Sequence, residues 1–124
     1  MDTTSWQRVE GAGVFVAAIL AVSQVDAGLA WWAAVLIFFA PDLSFAGYLA
    51  GARVGAALYN LVHVYAFGAV VIAVGMVWGS DATLAIGLLW LGHSGFARML
   101  GYGLKSPEGF EHTHLGRIGR GRAD

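Results

Sequence analysis

Four long apolar runs, broken by three short polar or glycine-bearing interruptions, set the pattern of this chain. The runs cover about residues 9–25, 29–49, 53–78 and 83–104, and each is long enough to cross roughly 30 Å of hydrocarbon as a helix. No segment alternates apolar and polar positions as a membrane strand must, so the pattern predicts helices throughout. The interruptions at Asp26 to Gly28, Ala50 to Ala52 and Gly79 to Ala82 are short enough to make each helix antiparallel to its neighbour in sequence. The expected fold is therefore all-α: a polytopic membrane protein whose residues 1–104 form an up-down bundle of four transmembrane helices. Residues 105–124 make a short cytoplasmic tail that could fold back over the bundle.

Composition agrees with that pattern. Of 124 residues, 58% are apolar and only 12% are charged, against about 25% charged in soluble domains. A chain this short cannot hide so much apolar surface from water, so the lipid bilayer is the expected partner. The same balance excludes disorder and nucleic-acid binding, and the lack of cysteine excludes disulfides, thiolate metal sites and cysteine nucleophiles.

The seven basic residues orient the bundle. Arg8, Arg53, Arg98, Lys105, Arg117, Arg120 and Arg122 all fall at the end that holds both termini, whereas the opposite loops carry only Asp26 and Asp81. Basic residues favour the cytoplasmic side, so both termini are expected there, in a multi-pass protein of the cytoplasmic membrane. Glu10, inside the first run, argues against reading that run as a cleaved signal peptide. Small residues recur at four-residue spacing, as Gly13, Ala17 and Ala21 and as Gly47, Gly51 and Gly55, which would suit close helix contacts or a homodimer.

Polar residues inside such runs carry the functional signal, because an ionisable group at membrane depth costs about 2.5–3.5 kcal/mol unless it has a partner or a cavity. Counted along the helices, Asp42 lies about 20 Å and His93 about 18 Å from the outer turns, and His63 lies about 15 Å in from Arg53. With Glu10, four helices deliver polar groups to the cytoplasmic half. Arg53, Asn60, His63 and Phe67 share one stripe of the third helix, and Pro41 is expected to kink the second helix beside Asp42. His93 and Arg98 diverge by about 140° around the fourth helix, so one is expected to face the bundle and the other the headgroups.

Three chemistries suit these residues. The first is an enzyme doing acid/base chemistry on a lipophilic small molecule, by isomerisation, cyclisation, hydration or hydrolysis. Asp42 and His63 would exchange protons, Asn60 would orient, His93 would assist, and Arg98, Lys105, Tyr59 and Tyr102 would hold the substrate. It needs no cofactor. The second is a small proton-coupled transporter using Glu10 and Asp42. The third is a metal site drawn from His63, His93, His112 and His114 with Asp42 or Glu10 as carboxylates, an N/O set suited to zinc, iron or copper.

The segments Ala40 to Ser44 (APDLS), Gly47 to Leu49 (GYL), Tyr59 to His63 (YNLVH) and His93 to Arg98 (HSGFAR) resemble a family of small bacterial four-helix integral membrane proteins that is catalogued only as a domain of unknown function. The resemblance continues through Gly101 to Lys105 (GYGLK) and Phe110 to Gly116 (FEHTHLG). It implies four helices and a bacterial inner-membrane location, and it assigns no catalytic role. Where the family pattern usually has Asp before the arginine, this chain has Ala97.

Overall fold

The computed structural model describes residues 1–107 and 112–117. Among these, the chain forms helices α1 (Thr3–Val22), α2 (Trp31–Phe39), α3 (Ala52–His63), α4 (Tyr65–Trp78) and α5 (Asp81–Met99). A 3-10 segment (Ala40–Ala50) joins α2 to α3, and a minimal hairpin pairs β1 (His112–Thr113) with β2 (Gly116–Arg117). The fold is all-helical apart from that hairpin. The expected runs correspond to α1, to α2 with the 3-10 segment, to α3 with α4, and to α5.

Local chemistry explains where the elements begin and end. Asp2 caps α1 by accepting the Ser5 N–H at 2.8 Å, and Ser80 caps α5 by accepting the Thr83 N–H at 3.2 Å. Pro41 has no N–H to continue the α2 ladder, and from Ala40, just before it, the helix tightens into 3-10 geometry for 11 residues. The expected kink is thus a change of helix type. Gly51, with φ +110°, makes the reversal into α3 that a side chain would strain.

α5 is the central helix, packed on α1 along one side, on α4 along another and on α2 along a third. At the α1–α5 crossing the backbones touch: a Cβ on Gly95 would lie 2.6 Å from the Gly11 carbonyl oxygen. The 3-10 segment and α3 form the second tight pair, with Gly47 against Leu58 and Gly55 beneath the Tyr48 ring. Gly47, Gly51 and Gly55 therefore serve this intrachain hairpin. Gly13, Ala17 and Ala21 face outward instead.

The stretch expected as one third helix is broken at Val64, whose ψ of 145° is extended, and α3 and α4 meet at 47°. The break has no glycine or proline. Its cause is insertion from α5: the carbonyls of Val62 and His63, which a continuous helix would pair with the amides four residues on, take the Trp90 indole N–H at 2.8 Å and an Arg98 guanidinium N–H at 3.3 Å.

Trp31–Ala50 is a 20-residue helix long and apolar enough to cross a membrane, and α3 with α4 meets the same criterion if the bent pair is one span. The described chain thus has one such span, or two. α1 and α5 are of matching length but more polar.

Candidate metal centre

The break at Val64 and the Pro41 transition meet in one place. His63, the last residue of α3, Asp42, near the start of the 3-10 segment, and His93, in the middle of α5, converge there. His93 Nε2 lies 3.0 Å from Asp42 Oδ1, His63 Nε2 lies 3.3 Å from the same oxygen, and the two Nε2 atoms are 3.3 Å apart. Both imidazoles are only 2% exposed. Three potential ligand atoms thus form a small triangle inside the protein.

Hydrogen-bond bookkeeping shows what the triangle lacks. His63 Nδ1 lies 2.8 Å from the Tyr59 carbonyl oxygen, which can only accept, so Nδ1 carries the hydrogen and Nε2 of the neutral ring is bare. A carboxylate oxygen is also only an acceptor. His93 Nε2 can carry a single hydrogen, so in the neutral state three lone-pair atoms share one proton within 3.3 Å. A cation between them removes the mismatch.

The spacing suits one. Ligands about 2.0–2.1 Å from a metal are roughly 3.4 Å apart around a tetrahedral centre and roughly 2.9 Å apart on one face of an octahedral one, and the observed separations lie between the two. The Asp42/His63/His93 group could therefore hold a metal ion. The Tyr59 carbonyl on His63 Nδ1 is the outer partner that commonly fixes a metal-bound imidazole. His93 is oriented by packing instead, with the Phe38 and Phe39 rings steeply inclined to it at centroid distances of 5.3 and 6.0 Å, and its Nδ1 is buried without a partner among the described residues. The Asp42 side chain keeps 37% of its surface, so the triangle is open on the carboxylate side.

Other candidate residues surround this centre. The Tyr59 ring stacks on His63 at 3.7 Å, and the Lys105 ammonium sits 5.0 Å from the centroid of the Tyr59 ring and 6.0 Å from that of Tyr102. Tail burial lowers the Lys105 ammonium to about 8, opposed in part by the attraction of Asp42. Asn60 shares the stripe of His63, yet its amide is engaged by the tail: its Nδ2–H donates to the Lys105 carbonyl at 2.8 Å and its Oδ1 accepts the Lys105 N–H at 2.6 Å.

The tail does fold back. The His114 N–H donates to the Leu104 carbonyl, the Leu104 N–H donates to His114 Nδ1 at 2.7 Å, and His114 Nε2 lies 2.8 Å from Gln7 Oε1. Burial holds the His114 imidazole below its ordinary pKa, followed by the repulsion of Arg98. Both ring nitrogens are engaged away from the triangle, so the structure does not bring His114 to the ligands with which it was grouped. The His112 side chain lies outside the described residues.

Glu10 is also apart from the triangle. It lines a separate cavity of about 360 Å³ with Gln7, Tyr65, Arg98 and His114. Arg98 is 9% exposed, so both His93 and Arg98 face inward despite their angular separation, because the central α5 is covered on several sides. Sequence reasoning missed Trp90 and Gln7 and gave Tyr59 to the substrate, although its place four residues before His63 on one helix was the signal for the contact between them; Trp90 carries no spacing signal, and Gln7 depends on the tail.

No curated protein and no solved structure matches the chain. A family model described as a domain of unknown function, DUF4260, matches residues 4–118, and with nearly its whole length inside that match, the chain belongs to this family.

Proposed function

We propose that the chain is a four-span integral membrane protein with cytoplasmic termini, and that it is a metal-dependent enzyme acting on a lipophilic substrate by hydrolysis or hydration. The observation that carries the enzyme reading is the Asp42/His63/His93 triangle, with His63 Nε2 bare and the carboxylate side open. Three protein ligands and a vacant position are the pattern of catalytic rather than structural metal sites. A zinc or iron(II) ion held there would supply a bound water ionised near neutral pH. Lys105, close enough to Asp42 to be stabilised by its charge, would be the cation approaching from the tail.

The membrane reading is supported by an inverted distribution of polarity. Leu49 is 94% exposed, Val77 82% and Trp31 80%, while His63, His93, Ser94, Arg98 and Lys105 are buried. Water-soluble domains do the reverse. α1 and α5, of 20 and 19 residues, have the length of spans. α5 can carry His93, Ser94 and Arg98 because its neighbours cover them. A lipophilic substrate is supported by a wholly apolar cavity of about 400 Å³, whose Phe38 and Phe39 also wall His93.

Metal-loaded protein is incubated with bacterial lipid extract in water enriched in oxygen-18, and products are read by mass spectrometry. Label entering a lipid product with wild type and not with His93→Ala supports the reading, and identical profiles contradict it. Topology is tested separately, since the absence of cysteine permits single-cysteine labelling. Asp26→Cys and Asp81→Cys should react from outside intact cells, and Ser106→Cys only after lysis.

A further inference from the structure

The cavity between α1, α4, α5 and the tail has walls of a different character from the triangle. Its floor is Arg98, fixed by one N–H to the His63 carbonyl at 3.3 Å and by the Tyr65 ring, whose centroid is 4.8 Å from the guanidinium carbon. A guanidinium has five N–H donors, and only this one is engaged with a protein oxygen among the described residues. The Tyr65 hydroxyl is buried beside it without a hydrogen-bond partner among the described residues. At the rim stands Glu10, on an exposed position of α1.

The remaining two walls carry no formal charge. His114 Nδ1 accepts from the Leu104 N–H, so its other nitrogen holds the hydrogen and donates to Gln7 Oε1. Among the described residues, Arg98 and Glu10 are thus the two charges that line this cavity, and no ion pair joins them. A simple anion drawn to Arg98 would meet the Glu10 carboxylate, and a simple cation drawn to Glu10 would meet the guanidinium. The arrangement complements a charge-separated ligand that carries both an anionic and a cationic group.

We infer that this cavity is a binding site for a zwitterion made of a phosphate and a primary ammonium, with the phosphate on Arg98 and the Tyr65 hydroxyl and the ammonium at Glu10. A guanidinium and a phenol hydroxyl are suited to phosphate oxygens, and a carboxylate to the donors of an ammonium. The volume of about 360 Å³ is within the range of small-molecule sites. The ligand's source is either the headgroup of an ethanolamine phospholipid or free phosphoethanolamine.

The test is native mass spectrometry of the full chain in detergent with dioleoyl phosphatidylethanolamine, matched phosphatidylglycerol, and soluble phosphoethanolamine as competitor. Phosphatidylethanolamine should bind roughly tenfold more tightly than phosphatidylglycerol, and Glu10→Gln and Tyr65→Phe should each weaken it by roughly tenfold. Displacement by millimolar phosphoethanolamine supports the site and a free metabolite as its source; resistance to displacement supports the site and a lipid source. Equal binding of the two lipids, or unchanged phosphatidylethanolamine binding in a monodisperse Glu10→Gln protein, overturns the inference. Chelator-treated protein should keep the same preference, so this result is read independently of the metal site.

Discussion

Replacing Asn60 by alanine removes two hydrogen bonds at once, at 2.6 and 2.8 Å, both to the backbone of Lys105. Each contributes about 1 kcal/mol net, so docking of the tail on α3 should weaken by about 2 kcal/mol, or roughly 30-fold in the opening equilibrium. Amide hydrogen exchange in detergent reads this directly at Leu104, Lys105 and His114, whose N–H groups are held by His114, Asn60 and Leu104 respectively. Asn60→Asp keeps the acceptor for the Lys105 N–H and loses the donor to its carbonyl, so it should fall between wild type and alanine. Exchange in Asn60→Ala within about threefold of wild type would refute the clamp and return Asn60 to a role in orienting His63 or the substrate.

Other substitutions probe the scaffold. Gly95→Leu, which must push its Cβ away from the Gly11 carbonyl, should lower stability by about 3 kcal/mol or more in detergent unfolding. Gly13→Ala, with nothing within 4 Å of the new methyl, should raise it by about 1 kcal/mol. Trp90→Phe leaves the Val62 carbonyl unpaired and should cost about 1–3 kcal/mol, with faster exchange around the α3–α4 break. Because Lys105 is lowered from 10.5 to about 8, the undocked tail binds its proton more tightly than the docked one, and tail docking should strengthen as pH rises from about 8 toward 10.5. Lys105→Met should abolish that dependence in exchange rates corrected for intrinsic pH effects.

Much of this architecture was legible because apolar length and short turns leave a chain few choices. Helices lie on each of the expected runs, although α1 begins at Thr3, α5 ends at Met99 and the third run is two helices, and depth counting grouped Asp42, His63 and His93, whose ligand atoms lie within 3.3 Å of one another. Depth carries no azimuth, however. Glu10, expected in the same layer, lines a different cavity, and His93 and Arg98, set apart by their angle around α5, serve different sites while both are buried because α5 is covered on several sides. The break at Val64 was hidden for a related reason: its determinants, Trp90 and Arg98, are distant in sequence. Asn60 has the stripe position of a residue supporting His63, and only the returning tail claims its amide.

Elemental mass spectrometry of protein purified without chelators tests the central claim most directly, with variants of each ligand and of two neighbours alongside. The account predicts close to one zinc or iron per chain in wild type, loss of that metal in His63→Ala, His93→Ala and Asp42→Ala, and retention in Asn60→Ala and His114→Ala. Metal-free wild-type protein that also fails to take up added zinc or iron(II), or metal that survives in the His63→Ala and His93→Ala proteins, would contradict it.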